Sequence, residues 1–421
     1  MDTTLSRVWD HTHGKSVRPG TSPRRVAPGR GGLPLAELAR RHPVPVAVLR
    51  TVLSPRRWEP WNTFNEHRVY PSPRAAWLVD VSIVDGARRL LVDPVRDRLV
   101  QAPAGPDNIE GSSPDVGAPA GPVRREGSSP GGGALAGSPL VGDGGRPVSG
   151  DGLTLELSLH PERLPTGYGA LAEALVLLEA GHVAAALADA AAEHGWRADT
   201  AYGDSGLTVT LRPDGAPAAG HGRVAGRRAA YRSSGLSPRG LHADPRPLPG
   251  GTLDLLAAAA HRPPAGSPAA WPGLRHRAVA ARVAGLAPGL YAADGPAPRL
   301  LAEGVPMDRV QEAFTMPREA VDVAGMNLAW AVTADVTAAV RDGGAAGYHR
   351  LLLAAGAFAQ HVAVAAGAAG LMCRPVRSVR EARLEAAVGA PPTEDFLYLL
   401  LVGRSRVRDF AYDLSPPEVL P

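Results

Sequence analysis

Trp77-Leu-Val-Asp-Val-Ser-Ile-Val84 alternates apolar and polar positions, the period of a half-buried strand. Arg89-Leu-Leu-Val-Asp93 and then Arg98-Leu99 follow it. The same order recurs later: Ala278–Val283, then Gly289–Asp294, then Arg299-Leu300. Asp93 and Arg98 stand at the same separation as Asp294 and Arg299. Each set is followed by a long Ala/Leu run that predicts a helix, over about Tyr168–His194 and about Tyr348–Ala369. The first contains Leu177-Leu-Glu-Ala-Gly-His182 and the second Leu352-Leu-Ala-Ala-Gly356. Both runs stop at a glycine, Gly195 and Gly370, where a left-handed cap is expected. An interior glycine weakens a helix relative to alanine, so one at the same place in both predicts close packing against another backbone. Each half closes on a strand, Leu207–Leu211 and Leu397–Val402. The pattern predicts an α+β fold of two tandem units of one kind, mixed sheets flanked by long Ala/Leu helices. Such units can pack as an intrachain pseudo-dimer with a site at the seam.

The length, 421 residues, suits two domains of about 200 residues each. The expected division is an arm and lead-in over 1–44, a first unit over 45–212, a linker over 213–226, a second unit over 227–410 and a tail over 411–421. Within the first unit, residues 101–152 are low-complexity. Ala102-Pro-Ala-Gly-Pro106 with Glu110-Gly-Ser-Ser-Pro114 recurs as Ala118–Pro122 with Glu126–Pro130. Such a segment buries too little apolar surface to offset its ordering entropy and reads as a disordered insertion.

Apolar residues make up 44% but aromatics only 5%, so the cores must be built of Ala, Leu and Val. The net charge of +4 is spread along the chain, and no basic block is interleaved with aromatics, which argues against nucleic-acid binding. Cys373 is the single cysteine, so no intrachain disulfide or cysteine-based zinc site is available; it is expected as a small buried apolar residue. His11 and His13 lack further ligands, and no metal site is expected. The first residues lack a signal-peptide core. The apolar runs, broken by His, Glu and Gln, fall short of a membrane span. The expected compartment is the cytoplasm, without a membrane partner.

Tyr231-Arg232-Ser233-Ser234-Gly235 precedes Asp244-Pro-Arg-Pro-Leu248 and an apolar helix over Leu253–Ala260. An arginine fork with neighbouring hydroxyls ahead of a helix can cradle a phosphate, though capping and surface roles suit the same residues. At this point the chain resembles the nitroreductase superfamily, in particular its branch of thiazoline/oxazoline dehydrogenases from azole-modified peptide biosynthesis. Arg232-Ser233 and Pro245-Arg-Pro-Leu248 match that branch's opening motifs, while Tyr231 and Gly235 depart from two further arginine positions. Pro288-Gly-Leu-Tyr291 matches its Pro-Gly-Leu-Tyr strand. Gly347-Tyr348, Leu352-Leu353, Ala355-Gly356 and Gln360 match its central helix, and Leu397-Tyr-Leu with Val402-Gly-Arg404 its closing strand. In the first half, Pro71-Ser72 matches a Pro-Ser-Ala-Gly segment, with Arg74 in place of the glycine. Leu177–His182 matches Leu-Leu-Glu-Ala-Gly-His in full. Tyr168 survives from a Lys-Tyr pair linked to activity, and Gly167 replaces the lysine.

The resemblance implies FMN as cofactor, held by Arg232, Ser233, Ser234 and Arg404 or Arg406, with Pro71, Ser72 and Gln360 also in contact. Because the halves keep different subsets, it implies one composite flavin site between them, its twin lost. The implied reaction is oxidation of an azoline ring to an azole in a modified precursor peptide, beside a cyclodehydratase partner. Tyr168 is the candidate for proton transfer, and a packing role at the helix start fits it equally. His182 and His361 are expected as packed histidines, and Glu179 as a cap or core partner. Arg374 and Arg377 fall where the family has a flavin-contacting turn; contact with the flavin or a substrate carboxylate is one reading, and a solvated turn is the default. Two other readings stand beside this one: a flavin-free scaffold that binds a partner or peptide, and a nitroreductase-like oxidoreductase acting on a small molecule.

Overall fold

The computed structural model describes residues 32–59, 66–85, 88–101, 152–203, 206–213, 236–237, 240–261, 273–304, 307–406 and 411–414. The arm up to residue 31, residues 102–151 of the insertion, residues 214–226 of the linker and the motif Tyr231–Gly235 lie outside the described residues.

The first half runs β1 (Leu33–Pro34), α1 (Leu35–Ala39), α2 (Pro43–Leu53), β2 (Arg57–Trp58), β3 (Glu66–His67), β4 (Val79–Asp85), β5 (Arg88–Asp93), β6 (Arg98–Gln101), β7 (Leu153–Leu159), α3 (Leu171–Ala192), β8 (Trp196–Gly203) and β9 (Gly206–Pro213). The second half runs β10 (Leu236–Ser237), β11 (Gly240–Leu241), α4 (Thr252–Ala260), β12 (Leu274–Ala280), β13 (Gly289–Ala292), β14 (Arg299–Glu303), α5 (Met307–Ala313), β15 (Leu328–Ala334), α6 (Val336–Ala368), β16 (Met372–Val376), α7 (Glu381–Ala387), β17 (Asp395–Gly403) and β18 (Tyr412–Asp413).

The first sheet has the order β1-β6-β5-β4-β7-β9-β8 and the second β14-β13-β12-β15-β17-β16. Apart from the edge strand β1, the two sheets trace the same path, and every pairing in them is antiparallel. Each carries its long helix between the equivalent strands: α3 follows β7 as α6 follows β15. The duplication read from the sequence is therefore a duplication of fold.

The two sheets differ in what covers them. On β7, Leu153, Leu155 and Leu157 are buried while Thr154 and Glu156 face outward, half-buried. On β15 every position is buried. The second face of that sheet packs Ala329, Ala331, Leu399 and Leu401 against Met307 and Val310 of α5 and Leu384 of α7. One apolar core spans both halves through α3 and α6.

These helices cross where their glycines sit. A Cβ on Gly181 would lie 2.1 Å from the Leu353 carbonyl oxygen, and one on Gly356 would lie 2.0 Å from that of Leu178. The reciprocity is that of a pseudo-two-fold axis through the crossing. Gly195 (φ +71°) and Gly370 (φ +75°) adopt the left-handed backbone expected of helix stops.

Three expectations are corrected. α3 begins at Leu171, because Tyr168 belongs to a short 3₁₀ turn, Thr166–Tyr168, that ends on Gly169 at φ +49°. α6 begins at Val336, breaks at Gly344 (φ +58°) and resumes; the Gly343-Gly344 pair hid its first segment. Both helices are also long and apolar enough to cross a membrane by length and composition. Their most apolar windows are 89% and 72% buried inside the protein, as expected of helices packed by a sheet and by each other.

Residues at the two ends of the described chain join the first half. Leu33–Pro34 extends its sheet at β6, and Tyr412–Asp413 pairs with Arg57–Trp58 in a small sheet of order β18-β2-β3.

Candidate functional site at the seam

The segment from β3 to β4 carries Arg68, Tyr70, Ser72 and Trp77 to the first half's side of the helix crossing. Its backbone is unusual: Arg74 (φ 55°), Ala75 (φ 49°) and Trp77 (φ 51°) all sit in the left-handed region without being glycine. Two hydrogen bonds to one carboxylate close this loop. Ser72 Oγ donates to Glu179 Oε2 (2.6 Å), and the Leu78 N–H donates to Glu179 Oε1 (2.8 Å). Ser72 Oγ in turn accepts from the Trp77 N–H (2.8 Å). Arg68 lies over the Trp77 ring, 4.2 Å from its centroid, and bonds Tyr70 Oη and Glu66. The Trp77 indole nitrogen is buried and has no hydrogen-bond partner among the described residues.

Glu179 is 1% exposed. Burial pushes its carboxyl up to about 7, against the opposing pull of Ser72, Arg68 and the Leu78 N–H. Tyr70, buried beside it, is pushed up to about 12 by the same cause.

One position past Gly181, His182 joins the halves. Gln360 Nε2 donates to the Val69 carbonyl (2.9 Å), which turns Gln360 Oε1 toward His182 Nδ1 (3.0 Å). Nδ1 therefore carries the imidazole proton. Nε2 is left to accept from Tyr398 Oη (3.3 Å). Burial pushes His182 down to about 4, so the imidazole is neutral at neutral pH, the packed and hydrogen-bonded histidine expected. Burial likewise pushes the fully buried Cys373 thiol up to about 12, which fits the small apolar residue expected.

The pseudo-symmetry makes this cluster informative. Counting from the crossing glycines, Glu179 corresponds to Ala354, His182 to Ala357 and Gln360 to Ala185. Tyr398 pairs with Val332 as Leu207 pairs with Leu157, so Tyr398 corresponds to Leu207. All four positions are polar on one side of the seam and all four are apolar on the other.

A second buried carboxylate lies nearby on the first half's small sheet. Glu59 takes Arg57 (2.7 Å) and His67 (3.0 Å). Burial holds the Arg374 guanidinium of the second half below the ordinary arginine range, and the charge of Glu59 acts against that. Arg377 is buried against Tyr348.

Past the end of β17, the Arg404 carbonyl accepts from the Asp244 N–H (2.7 Å), which seats the Asp244–Leu248 turn beside the closing strand. The half-buried Arg404 guanidinium makes no hydrogen bond or ion pair with any described residue. Arg404 is six residues along from Tyr398, about 20 Å of extended chain.

The structure thus brings Ser72 to Glu179 and, one helical turn along, Gln360 to His182, which also meets Tyr398. Pro71 is half-buried beside them. Arg232, Ser233 and Ser234 lie outside the described residues. Tyr168 packs half-buried against the core at the entrance to α3, on the order of 15 Å along the helix from Glu179. Its hydroxyl joins no hydrogen bond with a described residue. Arg68, Tyr70, Trp77 and Tyr398 were not singled out from the sequence. The signal for Tyr398 was the repeat itself, since it stands where the first copy has Leu207. Among the described residues, no group of three or more His, Cys, Asp or Glu side chains could hold a metal.

Two copies of one sheet-and-helix unit, joined through paired central helices, define a nitroreductase-like α+β fold. Among solved structures, a protein of Anabaena variabilis assigned as a nitroreductase matches 96% of this chain and 99% of its own, with a TM-score of 0.67 and 11% identity. That likeness spans both halves and shows the fold. Two partial likenesses have TM-scores below 0.5. One is a protein from Desulfovibrio desulfuricans assigned as a nitroreductase, in complex with FMN (17% identity, 44% of this chain, 88% of that one, TM-score 0.29). The other is the E. coli microcin synthetase McbBCD complex with truncated pro-MccB17 bound (14% identity, 40% and 68%, TM-score 0.34). No family model matches the sequence, and no curated protein matches it.

Proposed function

We propose that the protein is an FMN-dependent oxidoreductase with one composite flavin site on the polar side of the seam, oxidising azoline rings to azoles in a ribosomally made peptide. The observation that carries this reading is the one-sided seam: Glu179, His182, Gln360 and Tyr398 face it where their counterparts are Ala354, Ala357, Ala185 and Leu207. The motifs that resemble azoline dehydrogenases, and the nitroreductase-like fold, support it.

The donor set fits an anionic, hydrogen-bonding cofactor in two respects. Among the described residues, the Arg404 fork makes no hydrogen bond or ion pair, and the buried Trp77 indole N–H has no acceptor. In this reading Arg232, Ser233, Ser234 and Arg404 hold the phosphate, while Pro71, Ser72 and Gln360 lie toward the ring. Bound FMN supplies a two-electron acceptor. The chain's own work is to orient the peptide ring, exclude water and take up a proton. Tyr168 is one candidate for the last task. No described group bonds its hydroxyl. The peptide, handed on by a cyclodehydratase partner, meets the seam from solvent.

The test is incubation of the full chain with FMN and a thiazoline-bearing peptide, read by mass spectrometry. Loss of two hydrogens from the peptide is expected. Flavin bound without that loss, together with reduction of a nitroaromatic, would replace the substrate by a small molecule. One observation favours the scaffold reading instead: the Ser72 hydroxyl and the Gln360 amide are already bonded within the protein. That reading predicts no flavin binding at all.

A further inference from the structure

We propose that Glu179 is the proton-holding residue behind the seam site, and that it acts through Ser72, whose hydroxyl it switches between hydrogen-bond acceptor and donor toward a bound ligand. The proposal rests on the reading that the polar side of the seam takes a ligand.

The switch follows from what a serine oxygen can do. Ser72 Oγ has one proton and two acceptor sites. The Trp77 N–H occupies one acceptor site whatever the state of Glu179 (2.8 Å). While Glu179 is a carboxylate, the Ser72 proton points inward to Oε2, at 2.6 Å. Ser72 then offers a ligand only its remaining lone pair. Once Glu179 is protonated, the relation reverses. Its other oxygen is engaged by the Leu78 N–H (2.8 Å), so the added proton sits on Oε2 and donates to Ser72. Both acceptor sites of Ser72 are then filled, and its own O–H must turn outward as a donor. A ligand that gives a proton to Ser72 Oγ thus sends the serine's own proton to Glu179 in the same movement. One ligand–hydrogen bond breaks and one O–H bond forms at Oε2.

Three features set this pair apart from an ordinary buried hydrogen bond. Glu179 is 1% exposed whereas Ser72 is half-buried, so the pair connects the core to the seam. The same carboxylate ties both ends of the loop that holds Arg74, Ala75 and Trp77 in left-handed backbone, so its proton and the loop's position are linked. The counterpart of Glu179 in the second half is Ala354, so the device occurs once.

The charged and titratable groups around Glu179 are Arg68 and Tyr70 from the segment before β4, Tyr398 from β17 and His182 on α3. Arg68 favours the carboxylate, and burial outweighs it, which leaves Glu179 at about 7. His182 at about 4 stays neutral near pH 7, and Tyr70 at about 12 stays protonated. Within this cluster, Glu179 is the group that changes charge near neutrality.

The test uses the full chain and infrared difference spectra between about pH 5 and 9, the range over which a carboxyl near 7 changes state. A protonated-carboxyl C=O band should disappear with a midpoint near 7. It should be absent from Glu179→Gln and displaced in Ser72→Ala, which leaves the carboxyl in place but removes its hydroxyl partner. FMN affinity should depend on pH across the same range in the wild type and lose that dependence in Glu179→Gln. A band that survives in Glu179→Gln, or that ignores Ser72→Ala, overturns the relay. A normal carboxyl titration in a protein that binds no FMN at any pH overturns the flavin reading of the seam and leaves the Glu179–Ser72 coupling standing.

Discussion

Gly181 and Gly356 are the residues on which the joining of the halves depends. A methyl group at either meets a carbonyl oxygen of the opposite helix at 2.1 or 2.0 Å, and backbone cannot turn aside as a side chain can. Gly181→Ala and Gly356→Ala should each cost about 1–3 kcal/mol or more in urea unfolding, despite alanine's better helix propensity. Glu179 gives a second prediction. Its folded value, about 7, lies above the ordinary 4.5, so the folded state holds its proton more tightly than the unfolded one. Its contribution to stability is fully present below 4.5 and is lost as pH rises through about 7. His182 opposes it: its contribution is present above 6.5 and is lost as pH falls toward about 4. The two partly cancel in the wild type. The difference in unfolding free energy between wild type and Glu179→Gln should therefore vary with pH between 4.5 and 7; a difference flat across that window would contradict the buried carboxyl. The paired glycines were legible because a costly residue recurred at one place in two helices. Arg74 was legible only as a departure from a glycine motif. That its backbone stays in the left-handed region, at φ 55°, needed coordinates.

At the scale of elements, the strands with clear alternation and both central helices were readable, and the errors fell where local signals conflict. Gly343-Gly344 reads as a stop, yet Asp335 opens a helical segment ahead of it by accepting from the Ala338 N–H at 2.7 Å. Asp335→Ala should cost about 1 kcal/mol, measurable as a lower midpoint in thermal unfolding. α3 has no side-chain cap at Ala170, so no equivalent loss is expected there. The edge and clasp strands β1 and β18 span two residues each, too short to show a period. Their pairing partners, Leu99 and Trp58, are distant in sequence, which no local pattern reveals. The covering of the second sheet by α5 and α7 was hidden for a similar reason: both helices are seven residues long.

On the scale of the whole molecule, duplication followed by divergence explains the asymmetry of the seam. Two equivalent surfaces were available, and at the positions of Glu179, His182, Gln360 and Tyr398 polar side chains were placed on one. The sequence showed that the motifs were divided between the halves. It could not show that Ser72 bonds Glu179, or that His182 bonds Gln360 and Tyr398 across the halves, because that depends on how α3 and α6 cross. Arg232→Ala, which removes the phosphate fork of the proposed site, should lower FMN affinity at least tenfold, the loss expected for about 1.4 kcal/mol of a charge-assisted contact. The most direct measurement is the amount of FMN bound per chain, from the visible absorption spectrum of the purified protein after incubation with excess FMN and removal of the unbound cofactor. One FMN per chain is the predicted result. Two per chain would mean that the apolar side of the seam also binds, and none would mean that the polar side is not a flavin site.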